Sequence, residues 1–123
     1  MDIETFRDFC LSLPDSSEKM PFDKFFHGKH AFLAFYVAGR MFCYFDIDAF
    51  DCCNIRCRPE QIGELEARYM AVDRPYNLSP EHWISVRFDG DVTDEELKEL
   101  VRQSYEIALN PHPARERAPK KKE

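Results

Sequence analysis

Three short runs rich in aromatic and β-branched residues, at 31–37, 40–45 and 52–57, most constrain how this chain can fold. Such side chains favour strands. Ala38 and Gly39 separate the first two runs and are typical of a tight turn between paired strands. The middle of the chain is therefore predicted to form an antiparallel meander.

Amphipathic helices are predicted on either side of this meander. Residues 2–13 place apolar side chains on one helical stripe, with Asp2 positioned to cap the first turn. A second helix begins at Pro59, where the missing proline N–H costs nothing, and a third follows Thr93 in a capping box with Glu96. The inward stripes comprise Ile3, Phe6, Phe9, Cys10 and Leu13, then Ile62, Leu65 and Tyr69, then Leu97, Leu100, Val101, Tyr105 and Ala108.

A fourth strand is predicted at 83–88, after a loop at 72–80 and before a turn at Asp89-Gly90. The order helix, strands, helix, strand, helix predicts an α+β fold, a two-layer sandwich of one antiparallel sheet with helices packed on one face. Residues 1–110 form a single domain in this prediction. The tail at 111–123 holds three prolines and many charges, and we expect it to be disordered.

Length and composition fit one domain with one core, since 44% of the 123 residues are hydrophobic. The N-terminus lacks a basic region followed by an apolar run, and no apolar stretch approaches the roughly 18 residues of a spanning helix. We therefore expect a cytoplasmic protein with no membrane contact and with its five cysteines reduced. Eleven phenylalanines are many for so small a core, so a monomer or a weak homodimer is expected.

Charge is distributed unevenly along the chain. The formal net charge of -6 argues against generic polyanion binding, which depends on Lys and Arg displacing counterions from phosphates. However, the acidic segments are those predicted as helices, whereas the strand segments are mildly basic. The molecule is therefore predicted to have an acidic helical side and a more basic sheet side.

The sheet side carries the candidate binding residues. Alternation along the last predicted strand sends Trp83 and Arg87 to the face opposite the core. The same alternation along the third strand places Arg56 and Arg58 on that face. Arginines beside an indole form a surface of the kind that binds single strands or phosphate backbones. The structural alternative is that the arginine stems cover apolar surface and the indole packs.

No enzymatic signature accompanies these residues. The chain has no Gly-rich phosphate loop, Gly-x-Ser-x-Gly elbow, His-Glu-x-x-His or dinucleotide fingerprint. We therefore expect no enzymatic activity and no cofactor. Asp46, Asp48 and Asp51 are interpreted as turn residues, with weak cation binding as the alternative.

Histidine and cysteine spacing does not predict a metal site. Cys53 and Cys57 lie about 13 Å apart on one strand, too far to grip one zinc ion. A zinc site that joins Cys43 to a cysteine of a neighbouring strand remains geometrically open. His82, at the entrance of the last strand, is best explained as a residue that fixes the loop by hydrogen bonding.

Eight short stretches of the chain lie in an order that is more specific than any one of them alone. They are Cys-Leu-Ser-Leu-Pro (10–14), Pro-Phe-Asp (21–23), Gly-Arg-Met-Phe (39–42), Asn-Ile-Arg-Cys-Arg-Pro-Glu (54–60), Arg-Pro-Tyr (74–76), Leu-Ser-Pro-Glu-His-Trp-Ile-Ser-Val (78–86), Asp-Gly (89–90) and Ser-Tyr (104–105). Taken together, these stretches resemble the MmcQ/YjbR family over roughly residues 2–109. The resemblance implies a fold of the CyaY or frataxin type and a predicted DNA-binding role through a double-wing arrangement.

DNA is the partner that the resemblance implies, and the loop before His82 joins the sheet face in the predicted interface. Many relatives carry His-Leu-Asn-Lys or His-Met-Asn-Lys here, whereas this chain has Asn-Leu-Ser-Pro at 77–80, which removes one cationic contact. The alternative is a protein-interaction or small-ligand module that uses the same face without nucleic acid. The predicted interface residues are Arg56, Arg58, Arg74, His82, Trp83 and Arg87.

Overall fold

The computed structural model of the protein describes residues 1–20, 31–75 and 79–111. Within these residues the strands form one antiparallel sheet in the order β1-β2-β3-β4-β6-β5. The elements in chain order are α1 (Ile3–Ser12), β1 (Ser17–Lys19), β2 (Phe32–Val37), β3 (Arg40–Asp46), β4 (Cys52–Arg56), α2 (Pro59–Arg68), β5 (Val72–Asp73), β6 (Trp83–Arg87) and α3 (Asp94–Leu109).

The core lies between one face of this sheet and the helices. Phe35, Cys43, Ile55 and Ile84 stand in register across β2, β3, β4 and β6, and all four are fully buried. Their face meets Phe6 and Cys10 from α1, Ile62 from α2 and Val101 from α3, among other buried side chains. The predicted α+β sandwich, with helices on one face of an antiparallel sheet, is confirmed.

Local signals set the ends of the elements as predicted. The Asp2 carboxylate accepts a hydrogen bond from Thr5 N at 2.7 Å, and Pro59 occupies the first turn of α2. Thr93 and Glu96 form both bonds of the capping box. The turn between β2 and β3 has positive φ at both Ala38 (53°) and Gly39 (78°), which is the geometry that tight hairpins require.

Two edge strands were not predicted. The segment at 72–80 was expected to be a loop, yet Val72–Asp73 forms β5 by pairing with β6. Ser17–Lys19 has no strand-forming composition and becomes β1 only because β2 offers it an edge. Both misses have the same cause, since a short edge strand depends on its partner rather than on its own residues.

Some expectations fall on positions that the structure does not describe. These are residues 21–30, residues 76–78 of the predicted 72–80 loop, and the predicted tail from residue 112 onward. Among the helices that are described, none has the length and apolar character needed to cross a membrane.

An irregularity in the sheet brings α3 into direct contact with the strands. Phe35 pairs with Cys43 but Tyr36 pairs with Met41, so Phe42 is an extra residue in β3. In regular register Phe42 would face Arg56. Instead, the buried Ser104 hydroxyl of α3 accepts a hydrogen bond from Arg56 N at 2.7 Å and donates one to Phe42 O at 2.5 Å. One side-chain oxygen thus bridges β3 and β4.

We predict that Ser104→Ala lowers the free energy of unfolding by about 2–4 kcal/mol, because it removes the partner of both a backbone donor and a backbone acceptor. Urea denaturation measures this loss. Ser12→Ala is the matched control, since the Ser12 hydroxyl bonds Phe9 O on the exposed side of α1, and it should change stability by less than about 0.5 kcal/mol. A loss below about 0.5 kcal/mol for Ser104→Ala would contradict this role and would show that Arg56 N and Phe42 O bond directly to each other.

The turn after β6 packs closely against the chain before β5. The Asp91 carboxylate accepts hydrogen bonds from Met70 N and Ala71 N, both at 2.9 Å, and these bonds lower the pKa of Asp91. A Cβ at Gly90 would lie only 2.4 Å from Ala71 Cβ. Gly90 is therefore required by close approach of two chain segments.

Two glycine substitutions should have opposite effects on stability. Gly90→Ala should destabilise the protein by about 1–3 kcal/mol, because the new methyl group has no room beside Ala71. Gly63→Ala, in the middle of α2 with nothing within 4 Å of the added Cβ, should stabilise it by about 0.5–1 kcal/mol. Thermal and urea unfolding of the two variants check both signs. Equal effects would contradict this packing.

Candidate nucleic-acid interface

The sheet face that points away from the core carries aromatic and basic side chains in register. We call this the second sheet face. Arg56 of β4 pairs directly with Trp83 of β6, and Tyr36 of β2 pairs with Met41 of β3. The residues that define the second sheet face are Ser17, Lys19, Phe32, Ala34, Tyr36, Met41, Tyr44, Asp46, Cys52, Asn54, Arg56, Asp73, Trp83, Ser85 and Arg87.

Arg56 and Trp83 form a close cation–π pair on this face. The guanidinium carbon lies 4.8 Å from the centroid of the indole ring, and Arg56 Nε donates to Met41 O at 2.6 Å. Tyr44 packs edge-on against the same indole at 6.4 Å between centroids. Trp83 is consequently only 6% exposed. Direct stacking of a nucleobase on Trp83 would require Arg56 to move.

Arg56 is a partly buried cation for which the described residues supply no ion-pair partner. Burial lowers its pKa first, and the nearby positive charge of Arg40 lowers it further. Across the parts of the chain that the structure describes, no carboxylate forms an ion pair with Arg56. Contact with an anion would therefore stabilise this partly desolvated guanidinium.

Arg74 and Arg87 differ from Arg56 because carboxylates already neutralise them. Arg74 makes a two-pronged contact with Glu66 at 2.7 and 3.0 Å, which raises the pKa of Arg74 and lowers that of Glu66. Arg87 donates to Asp73 at 2.7 Å and to a backbone carbonyl oxygen at 2.6 Å. Either arginine would have to leave its partner to bind phosphate.

Arg58 lies on a different side from the one that strand alternation predicts. β4 ends at Arg56, and the chain turns into α2, so Arg58 becomes the residue that precedes the first helical turn. There it lines a cavity of about 180 Å³ with Arg102 and Gln103 of α3, on the helical side of the molecule. Alternation failed at this position because the strand was shorter than predicted.

His82 stands at the entrance of β6, beside the end of β4. Its backbone N donates to Ser79 O at 3.1 Å and its backbone O accepts from Cys57 N at 2.8 Å. These backbone bonds fix the loop, whereas hydrogen bonding by the His82 side chain stays a prediction. The His82 side chain is exposed, and Arg87 lies about 13 Å from Trp83 along β6. The structure thus brings Arg56 and Trp83 into contact, with His82 next to Trp83 in the chain, and separates the other predicted residues.

Sequence reasoning missed two features of this face. Lys19 lies over the Tyr36 ring at 5.1 Å from the centroid, a contact that could not be foreseen because β1 was not predicted. Tyr44, 6% exposed beside Trp83, could have been found. Alternation along β3 sends it to the face opposite Phe45.

The structure shows the surroundings of the cysteines and aspartates for which metal binding was the alternative interpretation. Cys43 contacts the thiols of Cys10 and Cys53 in the core, where burial raises its pKa well above the usual value. Among residues 1–20, 31–75 and 79–111, no three histidine, cysteine or acidic side chains are arranged to hold a metal ion. Asp46 Oδ1 accepts hydrogen bonds from the backbone N of Asp48 and Ala49 at 2.9 and 3.1 Å, which is the predicted turn chemistry.

The fold and the second sheet face define a small α+β protein with an arginine held on an aromatic sheet surface. The family model named YjbR matches residues 11–107, and the chain belongs to this family. No curated protein matches the sequence.

Solved structures share the fold. A crystal structure of a Deinococcus radiodurans protein with the domain DUF419 is 29% identical, with a TM-score of 0.77 over 94% of this chain and 85% of that one. A Pseudomonas syringae protein is 21% identical in its crystal structure, with a TM-score of 0.70 over 88% of this chain and 99% of that one. Its solution structure gives 19% identity and a TM-score of 0.67.

We predict that Arg56→Ala makes Trp83 accessible, because the guanidinium group covers one side of the indole. Trp83 is the single tryptophan, so its emission reports this site alone. Acrylamide quenching should increase and the emission maximum should move to longer wavelength. Arg87→Ala, four residues along the same strand, is the control and should leave both unchanged. Unchanged quenching in Arg56→Ala would contradict the observed cover.

Proposed function

We propose that the protein binds nucleic acid through the second sheet face, with single strands preferred to duplexes, and that it acts as a binding protein rather than an enzyme. The YjbR family resemblance implies DNA as the natural partner. The geometry supports a contact centred on Arg56, with Trp83 behind it and with His82, next to Trp83 in the chain, at the entrance of β6. The double-wing mode of binding belongs to the same proposal.

The observation that carries the proposal is the state of Arg56. This guanidinium is held by Met41 O and by the Trp83 ring, and no described carboxylate neutralises it. Arg7, Arg74, Arg87 and Arg102 all pair with acidic side chains instead. A phosphate would supply the missing negative charge, and the partial burial would strengthen that contact.

The arrangement favours a modified form of base stacking. Arg56 already occupies the face of Trp83, so an incoming base would stack on the outer side of the guanidinium plane, as bases do on arginine in RNA recognition. Trp83 then acts as a positioning residue that keeps the guanidinium flat. Unstacked bases are accessible in a single strand, which is why single strands should bind more tightly than duplexes.

Charge distribution supports the orientation of the complex. The helices carry ten of the twenty acidic side chains of the described residues, including those at the start of α3, against only four Lys or Arg. Lys19, Arg56 and Arg87 lie on the second sheet face. A polyanion would therefore be repelled from the helical layer and would approach the sheet, although the net charge of -6 should keep the overall affinity modest.

We expect Arg56→Gln to weaken binding of a fluorescein-labelled oligo-dT by about three- to tenfold and to reduce the salt slope by about 0.7, because one phosphate contact is lost. Arg56→Lys should fall between the wild type and Arg56→Gln, since it keeps the charge without the flat stacking surface. Fluorescence anisotropy at about 50 and about 200 mM salt measures both quantities.

Arg7→Gln is the matched control for this titration. Arg7 has a similar charge but pairs with Glu18 between α1 and β1, away from the second sheet face. Its removal should leave the affinity unchanged. The proposal fails if the wild type does not bind oligo-dT below roughly 100 μM, or if Arg7→Gln weakens binding as much as Arg56→Gln.

A second candidate function is a protein-interaction or small-ligand module on the same face. The observation in its favour is that aromatic groups dominate this surface while Asp73 neutralises Arg87. The same titration separates the two functions, since a ligand module would bind without the steep dependence on salt that phosphate contacts produce.

A further inference from the structure

A groove runs between α2 and α3, on the opposite side of the molecule from the second sheet face. It consists of two cavities of about 310 and 180 Å³, which share Gln61 of α2 and Gln103 of α3. Half-buried Leu65 and Leu100 line the larger cavity, and Ile107 lines the smaller one. The combined volume falls within the range of about 300–1,000 Å³ that is usual for ligand sites.

The groove has a structural cause. At one end the Tyr69 hydroxyl donates to Glu96 at 2.9 Å, which ties the end of α2 to the start of α3. Ile62 packs into the core below, 2% exposed. These contacts hold α2 in place, while the outer sides of α2 and α3 remain apart and leave the groove between them.

The larger cavity is acidic. Glu64, Glu96 and Glu99 line it together with one cation, Arg68, which lies over the Tyr69 ring. Glu64 forms no ion pair with any residue that the structure describes. A cationic side chain is therefore the group that this end of the groove would accept.

The shared middle of the groove suits a peptide backbone. Gln103 donates to Glu99 at 3.1 Å through its amide nitrogen, so its carbonyl oxygen remains able to accept. A carboxamide pairs with backbone N–H and C=O groups alike. The distance from Gln61 to Arg68 along α2 is about 10 Å, which is the span of three to four extended residues.

We propose that the groove between α2 and α3 binds a short, extended peptide segment of a partner protein that carries a lysine or arginine. Apolar side chains of the segment would lie on Leu65 and Leu100, its backbone would bond Gln61 and Gln103, and its cation would approach Glu64. This surface is separate from the one proposed for nucleic acid, so a single molecule would engage both partners at once.

The test uses the peptide acetyl-Leu-Lys-Leu-Lys-Leu-amide as the probe, with the Leu-Glu-Leu-Glu-Leu peptide as its charge-reversed counterpart. The sequence contains two glutamines, and both line the groove. Protein labelled with ¹⁵N-glutamine therefore gives side-chain amide signals that report this groove alone. We expect the lysine peptide to shift both signals saturably and to leave Trp83 emission unchanged.

Charge reversal at the groove gives the decisive comparison. Glu64→Arg should weaken binding of the lysine peptide by about tenfold, since an attraction becomes a repulsion. Asp8→Arg makes the same change in net charge on α1, outside the groove, and should alter the affinity by less than about twofold.

Three outcomes would overturn the proposal. The first is equal weakening by Glu64→Arg and Asp8→Arg, which would show non-specific attraction. The second is equal binding of the glutamate peptide. The third is binding only after residues 112–123 are removed, because that basic segment of the chain would then be the occupant of the groove instead of a partner.

Discussion

The Ser104 hydroxyl is the interaction on which the sheet and the candidate interface both depend. It sits where β3 gains an extra residue, and it satisfies a donor of β4 and an acceptor of β3 that would otherwise meet each other. Because this oxygen comes from α3, the helical layer sets the spacing of two strands. The position of Arg56 depends on this contact. Its backbone N–H donates to Ser104, and its side chain reaches Met41 O and the Trp83 ring on the other side of the sheet.

The same constraint explains why one arginine differs from its neighbours. Arg7, Arg74, Arg87 and Arg102 pair with carboxylates, and each such exposed pair contributes little to stability. Arg56 is held in place by a carbonyl oxygen and an indole ring, so it is oriented without being neutralised. An oriented and partly desolvated cation loses little conformational entropy when it binds an anion, which is the property that a recognition site needs. In the two proposals the chemistry is divided between the two faces, since the sheet face would bind an anion and the groove between the helices would bind a cation.

Much of the architecture was predictable because its signals are local. Neighbouring residues determine the meander, the capped starts of α1 and α3, and the first turn of α2 with its proline. Trp83 and Arg56 were also placed correctly, because alternation along a strand leaves only two faces. Arg58 was predicted on the wrong face because β4 ends one residue earlier than predicted. The partners of Arg74 and Arg87 could not be foreseen, since Glu66 and Asp73 approach them only after the chain has folded.

The sequence by itself determined the fold class, the family and the composition of the sheet face, because hydrophobic periodicity and capping residues act over a few positions. Only the tertiary structure decided where β1 and β5 form, where Ser104 enters the sheet, and which of the described arginines pair with carboxylates. Those outcomes depend on contacts between residues distant in the chain, such as the 48 positions between Arg56 and Ser104. No local pattern encodes such a contact, because its free energy depends on the burial and geometry that the assembled layers create.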